Sequence, residues 1–167
     1  MFKLHPQLAK DTELLGEFPL SLVLLSRDAN YPWCMLVPRR EALREIHHLG
    51  DDDRIQLMVE SCHLAEVMVD LFVPDKMNVA VLGNQVPQLH MHHVARVTTD
   101  PAWPGPVWGR VPAKPYDPDK LQSTVTRLQS ALAGEDFVAN GTGKWEVGSR
   151  KRPWARLRGA QGRRIEE

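Results

Sequence analysis

The stretch Gln88-Leu89-His90-Met91-His92-His93-Val94 constrains this chain more than any other. In an extended strand successive side chains alternate between faces, so Gln88, His90, His92 and Val94 point one way. Leu89, Met91, His93 and Ala95 then point the other. Two imidazoles one residue apart on a single face do not suit a plain core, because each ring brings a donor and an acceptor that need partners. They suit chemistry, since imidazole titrates near neutral pH and is also a nucleophile. Function is expected on this strand.

The segments around it read as further strands and helices. Residues 19–26 form an apolar run typical of a buried strand, Arg27 to Pro32 supplies turn residues, and residues 33–38 make a second strand, giving an antiparallel hairpin. A short helix is expected over 41–49. Asp51, Asp52 and Asp53 offer N-capping carboxylates to a long helix that runs to about Phe72. Its apolar positions Ile55, Met58, Val59, Cys62, Ala65, Val69 and Phe72 keep 3–4 spacing and predict one buried stripe. Residues 76–82 and 89–97 complete a second pair of strands across a tight connection at Gly83 to Pro87. Prolines 101, 104, 106, 112, 115 and 118 exclude regular structure after Asp100, and an amphipathic helix follows over 119–133. Hairpins with helices set apart predict an α+β fold on an antiparallel sheet.

At 167 residues and 43% hydrophobic content the chain suits one domain, read here as 1–134. Residues 135–167 read as a Gly- and Arg-rich basic extension, peripheral to the core or poorly ordered. Formal net charge is zero, so nucleic acid is not an expected partner except through that tail. Cys34 and Cys62 are too few for a disulfide framework and fit a reducing compartment. No stretch approaches the ~20 apolar residues that span a bilayer. The opening residues lack a signal-peptide apolar region, and a cytoplasmic protein is expected.

Several residues have plainer readings. A zinc site would need three or four ligands, and beside His90 and His92 the sequence offers only Cys62, His63, His47 and His48, without CxxC or HExxH spacing. No metal and no cofactor are expected. His93 reads as a satisfied structural histidine, His47-His48 as a solvated helix end, and Trp33, Trp103 and Trp108 as packing, one of them able to stack on a base. The nucleophile reading is stronger: neutral imidazole can attack phosphorus and form a phosphoramidate that water cleaves. Asn78, Asn84 and Gln85 supply amide donors for phosphate oxygens nearby in sequence.

Lys76 to His92, with its Gly83-Asn84-Gln85-Val86-Pro87 turn, resembles the signature strand-turn-strand of the histidine triad (HIT) family. Asn30 to Arg40, ending Leu36-Val37-Pro38-Arg39-Arg40, is similar to that family's first hairpin. The resemblance covers roughly Leu20 to Trp108. Against the family's His-x-His-x-His pattern the nucleophile falls on His90, the phosphate-contacting third histidine on His92, and the first on Gln88, which cannot carry a proton. Gln-x-His-x-His resembles a bacterial subgroup loosely labelled diadenosine-polyphosphate hydrolase-like. The resemblance implies a five-stranded antiparallel sheet with two main helices, to which the helix over 119–133 adds a C-terminal one, and a homodimer with a continuous sheet. It implies a base site around Asp28, Asn30, Pro32 and Trp33, with ribose and phosphate near Asn78, Asn84, Gln85, His90 and His92.

Three functions compete. One is an enzyme that cleaves the α-phosphate linkage of a nucleotide conjugate through a nucleotidyl-His90 intermediate, with His90, His92 and Gln88 as its catalytic group. Another is a nucleotide-binding module with little turnover because Gln88 replaces a histidine. The last is an interaction protein that uses the basic tail and the Trp-rich loop. The intact His90/His92 pair favours the first.

Overall fold

A computed structural model describes residues 1–134 and 136–141 of the chain. Apart from Asp136 to Gly141, the basic extension read from the sequence lies outside the described residues. The described residues form an α+β domain on one antiparallel sheet. Its strands are β1 (Thr12–Glu17), β2 (Ser21–Ser26), β3 (Trp33–Pro38), β4 (Lys76–Ala80), β5 (Met91–Arg96) and β6 (Val138–Ala139), in the order β4-β5-β3-β2-β1-β6. Six strands stand where five were expected. The additional pairing is that of β6 with Gly16 and Glu17 of β1, and it reaches beyond the boundary placed at 134. Gly16 permits the approach, since a Cβ there would collide with the Val138 carbonyl and the Phe137 ring.

The helices are α1 (Pro6–Asp11), α2 (Asp51–Phe72) and α3 (Pro118–Leu132). Asp117 caps α3 by accepting from the N–H groups of Asp119 and Lys120, and Pro118 takes the first position, where its missing donor costs nothing. The Asp51-Asp52-Asp53 run lies inside the first turn of α2, and the N-cap is Gly50. The carboxylates there meet the positive end of the helix dipole rather than capping it. The short helix expected over 41–49 is only a 3₁₀ turn at Ile46–His48, and Ala42 sits at φ 55°, outside helical space.

Alternation along β2, β3 and β5 divides the core into two layers, one on each face of the sheet. Val23, Leu25, Cys34, Leu36, Met91 and Ala95 face α2 and α3. Leu22, Leu24, Met35 and Val37 face the other way, under Phe2, Leu4 and Leu8 of the N-terminal segment. Covering both faces explains why every residue of β2 and of β5 is buried.

α2 packs through a different face from the one its apolar spacing suggests. Gln56, Leu57, Glu60, Ser61, Leu64, Val67 and Met68 are buried, whereas Ile55, Met58 and Val69 are 49%, 56% and 43% exposed. Three of the buried residues are polar, and each has a partner that offsets its desolvation. Glu60 accepts from the Leu20 N–H at 2.7 Å and from Gln56 at 3.0 Å, and the Ser61 hydroxyl bonds His93 Nε2 at 2.8 Å. Burial pushes the Glu60 carboxyl above its ordinary pKa. Among the described residues no helix is long and apolar enough to cross a membrane.

Candidate active site

Register carries the site across three strands. His92 stands opposite Met35 of β3 and Ala80 of β4, while Val94 stands opposite Trp33 and Asn78. Cross-strand partners share a face, so Trp33, Met35, Asn78, Ala80, His92 and Val94 lie on the side away from α2. His90 joins them just ahead of β5. Its ring centroid is 4.7 Å from that of His92, at an interplanar angle of 77°. Both rings are buried, at 7% and 5% exposure. His93 points the other way and is enclosed against Ser61 and the Met91 carbonyl.

Hydrogen-bond partners define what each ring can do. His90 Nδ1 lies 2.7 Å from the Gln88 carbonyl oxygen. A carbonyl only accepts, so Nδ1 carries the proton and the Nε2 lone pair is left for attack. His92 Nδ1 lies 3.0 Å from the indole Nε1 of Trp33. Burial first, and then the neighbouring His90 and His93, hold the His92 pKa down at about 3, so this ring is neutral at physiological pH. Trp108 packs edge-on to both Trp33 and His92, with centroids at 5.9 and 5.3 Å. Its own indole N–H is buried and has no hydrogen-bond partner among the described residues.

The Gln88 side chain is directed at the N-terminal segment. Its Oε1 accepts from the His5 N–H at 2.9 Å and its Nε2 donates to the Lys3 carbonyl at 2.9 Å. A carboxamide both donates and accepts from adjacent atoms, as a peptide group does, whereas a neutral imidazole has its donor and acceptor at well-separated ring positions. Gln88 thus contributes its backbone carbonyl to His90 and its side chain to Lys3 and His5.

The other expected site residues fall into two groups. Asp28 and Asn30 are engaged with the Pro-rich loop: Asp28 Oδ1 accepts from the N–H groups of Asn30 and Lys114, each at 3.0 Å, and Asn30 Nδ2 donates to the Pro112 carbonyl at 2.9 Å. Asn78 Oδ1 accepts from Arg96 at 2.8 Å. Asn84 and Gln85 are exposed on the loop that follows Gly83, whose φ of 72° makes the turn.

Arg96 organises the wall beside the histidines, and the sequence reading passed over it. Only 1% exposed, it grips Asp100 through two bonds of 2.7 and 3.0 Å and donates to the Gly105 carbonyl at 3.0 Å. Its guanidinium lies 5.8 Å from the ring centres of both Tyr31 and Trp103. The signal was present, since residues 92, 94 and 96 share a strand face and Asp100 follows four residues later. Among the described residues no group of three or more His, Cys, Asp or Glu side chains is placed to hold a metal ion.

Comparison with known proteins bears on the fold that holds these residues. The family model of the HIT domain matches residues 7–99. A histidine triad protein from Marinobacter aquaeolei VT8 is 52% identical, with a TM-score of 0.77, over 79% of this chain and 96% of that one. One from Bradyrhizobium japonicum is 42% identical, with a TM-score of 0.78, over 79% and 98%. One from Sinorhizobium meliloti 1021 is 34% identical, with a TM-score of 0.76, over 78% and 97%. Among curated proteins none matches.

Proposed function

The chain belongs to the histidine triad family, and from that premise we propose that it hydrolyses or transfers the nucleotidyl group of a nucleotide conjugate, of the dinucleoside-polyphosphate or nucleoside-phosphoramidate type. His90 Nε2 attacks the α-phosphorus. A P–N bond forms as the bond to the leaving group breaks, and the leaving group departs with the electron pair and takes up a proton. Water then attacks the same phosphorus, the P–N bond breaks, and the nucleoside monophosphate is released. His92 contacts the phosphate, and Asn78, Asn84 and Gln85 line its approach. The base lies towards Asp28, Asn30 and Trp33.

The observation that carries this reading is the bond from His90 Nδ1–H to the Gln88 carbonyl, which directs Nε2, the nitrogen that bears the lone pair when the ring is neutral, to the attacking role beside a second imidazole. The test is to incubate the pure protein with dinucleoside polyphosphates, adenosine phosphoramidate and aminoacyl adenylates, then quench in alkali and search for nucleotidylated His90 by mass spectrometry. Absence of both turnover and adduct across the panel would sink it. The alternative, a nucleotide-binding module with little turnover, is favoured by one observation: both ends of the Gln88 carboxamide are engaged by Lys3 and His5. No side chain at position 88 then carries a proton to the reaction.

That engagement changes what Gln88→His should do. An imidazole would break the two bonds to residues 3 and 5, so the variant is expected to loosen the N-terminal segment as well as to alter the rate or pH optimum. Hydrogen exchange of the amides of residues 3–5, 7 and 8 should quicken roughly thirtyfold, as the loss of about 1 kcal/mol for each of the two bonds implies. Unchanged exchange would mean that the fastening carries no weight.

A homodimer is part of the same reading. Ile55, Met58 and Val69 leave an apolar strip on α2, and Val79 is 47% exposed on the edge strand β4. A second copy that pairs along β4 would cover both and remove the open edge. Sedimentation should show a dimer at micromolar concentration, and Met58→Glu should shift it towards monomer. A wild-type monomer at that concentration would refute the assembly. Free Cys34 and Cys62 suit the cytoplasm as the site of action. The basic residues beyond Gly141 are read as the place where nucleic acid or an acidic partner would bind.

A further inference from the structure

Trp33 was expected to pack or to stack on a base, yet its polar atom is committed elsewhere. The indole Nε1–H has no lone pair to offer and can only donate. Its partner at 3.0 Å, His92 Nδ1, must therefore be unprotonated. A neutral imidazole keeps one ring proton, and in His92 that proton is left on Nε2. His90 is fixed the other way, with a proton on Nδ1, so that in its neutral form the lone pair lies on Nε2. The two rings, 4.7 Å apart, hold opposite tautomers, one presenting a lone pair and the other a donor.

We propose that Trp33 is a positioning residue that locks His92 as an Nε2–H donor to the substrate phosphate, beside the nucleophilic lone pair of His90. This deepens the hydrolase reading and rests on it. Displacement at phosphorus needs one ring to attack and a donor to hold the phosphate oxygens. If both rings freely exchanged tautomers, only a fraction of molecules would present that combination. The indole also pins the ring's orientation, because rotating the His92 ring by half a turn would place a carbon where Nδ1 now accepts. It opposes the imidazolium as well, since a second proton on Nδ1 would face the indole N–H. The titratable groups acting on His92 are His90 and His93. β3, β4 and the Trp-rich loop set Trp33, Met35, Ala80 and Trp108 around it, none of which ionises in the neutral range.

Nitrogen NMR of the wild-type protein tests this directly. At neutral pH, His92 Nδ1 should give the shift of an unprotonated, hydrogen-bonded nitrogen and a through-bond coupling to the Trp33 indole nitrogen. His90 should show the opposite tautomer. In Trp33→Phe the coupling disappears, and the His92 titration midpoint should rise by one unit or more. With an active substrate, kcat should fall on the order of tenfold with KM changed much less. Trp108→Phe removes a ring that also touches His92 but does not bond it, and should preserve the Nδ1 signature. A wild-type His92 protonated on Nδ1, or a folded Trp33→Phe with unaltered midpoint and kcat, would overturn the proposal. If the wild type turns over no conjugate, the hydrolase reading fails, and the nitrogen signature still decides what Trp33 does to His92.

Discussion

Replacing His90 by alanine is expected to lower turnover by roughly four orders of magnitude or more, because the proposed covalent route would lose the atom that forms the P–N bond. The fold should survive. The change deletes one bond to the Gln88 carbonyl, a loss of about 1 kcal/mol, and leaves the β5 pairing with β3 and β4 in place. Nucleotide binding should persist within a few-fold, since His92 and the residues packed around it are untouched. Single-turnover kinetics and a binding titration on the same preparation separate the two effects. Turnover within tenfold of the wild type would remove His90 from the mechanism, and lost binding would make it a ligand contact instead.

The largest expected effect on stability comes from Arg96. Its side chain and that of Asp100 are 2% and 4% exposed, and removal of one partner strands a buried charge at a cost of about 3–5 kcal/mol. For a chain of this size that lowers Tm by roughly ten degrees. Arg96→Met keeps much of the volume and should show the full loss. Adding Asp100→Leu should recover part of it, because the second change removes the unpaired carboxylate. Calorimetry on the two variants is the measurement. A drop of less than two degrees in Arg96→Met would show that the loop holds itself without the guanidinium. Since Arg96 also ties Asn78 and Gly105, a folded variant should bind substrate more weakly as well.

The hairpin of β2 and β3, the alternation that aligns His90 with His92, and the inward direction of His93 were all legible, because period-2 patterning states which face a residue occupies. The buried face of α2 was not. Gln56, Glu60 and Ser61 read as solvent-facing until the sheet supplies Leu20 and His93 as partners, and such long-range pairing leaves no local mark in the sequence. Of the strip chosen in their place, Ile55, Met58, Cys62 and Val69 are exposed, while Val59 and Ala65 are half-buried and Phe72 packs against the core. Asp28 and Asn30 lie in the expected hairpin, but their use in anchoring Lys114 and Pro112 depends on a loop more than eighty residues away. Arg96 escaped notice because a charged residue at a strand end ordinarily faces water.

The carboxamide of Gln88 bonds the carbonyl of Lys3 and the N–H of His5, two groups that flank Leu4. In extended backbone such a pair points to the same edge, which is how one strand meets another. The contact is therefore a ladder rung supplied by a side chain, and like any rung it has a register. Adding or removing one residue between Lys3 and Pro6 would turn that edge away and present Gln88 with mismatched groups. The spacing of the first few residues is accordingly tied to the segment that carries His90, in a part of the chain that would otherwise pass for dispensable.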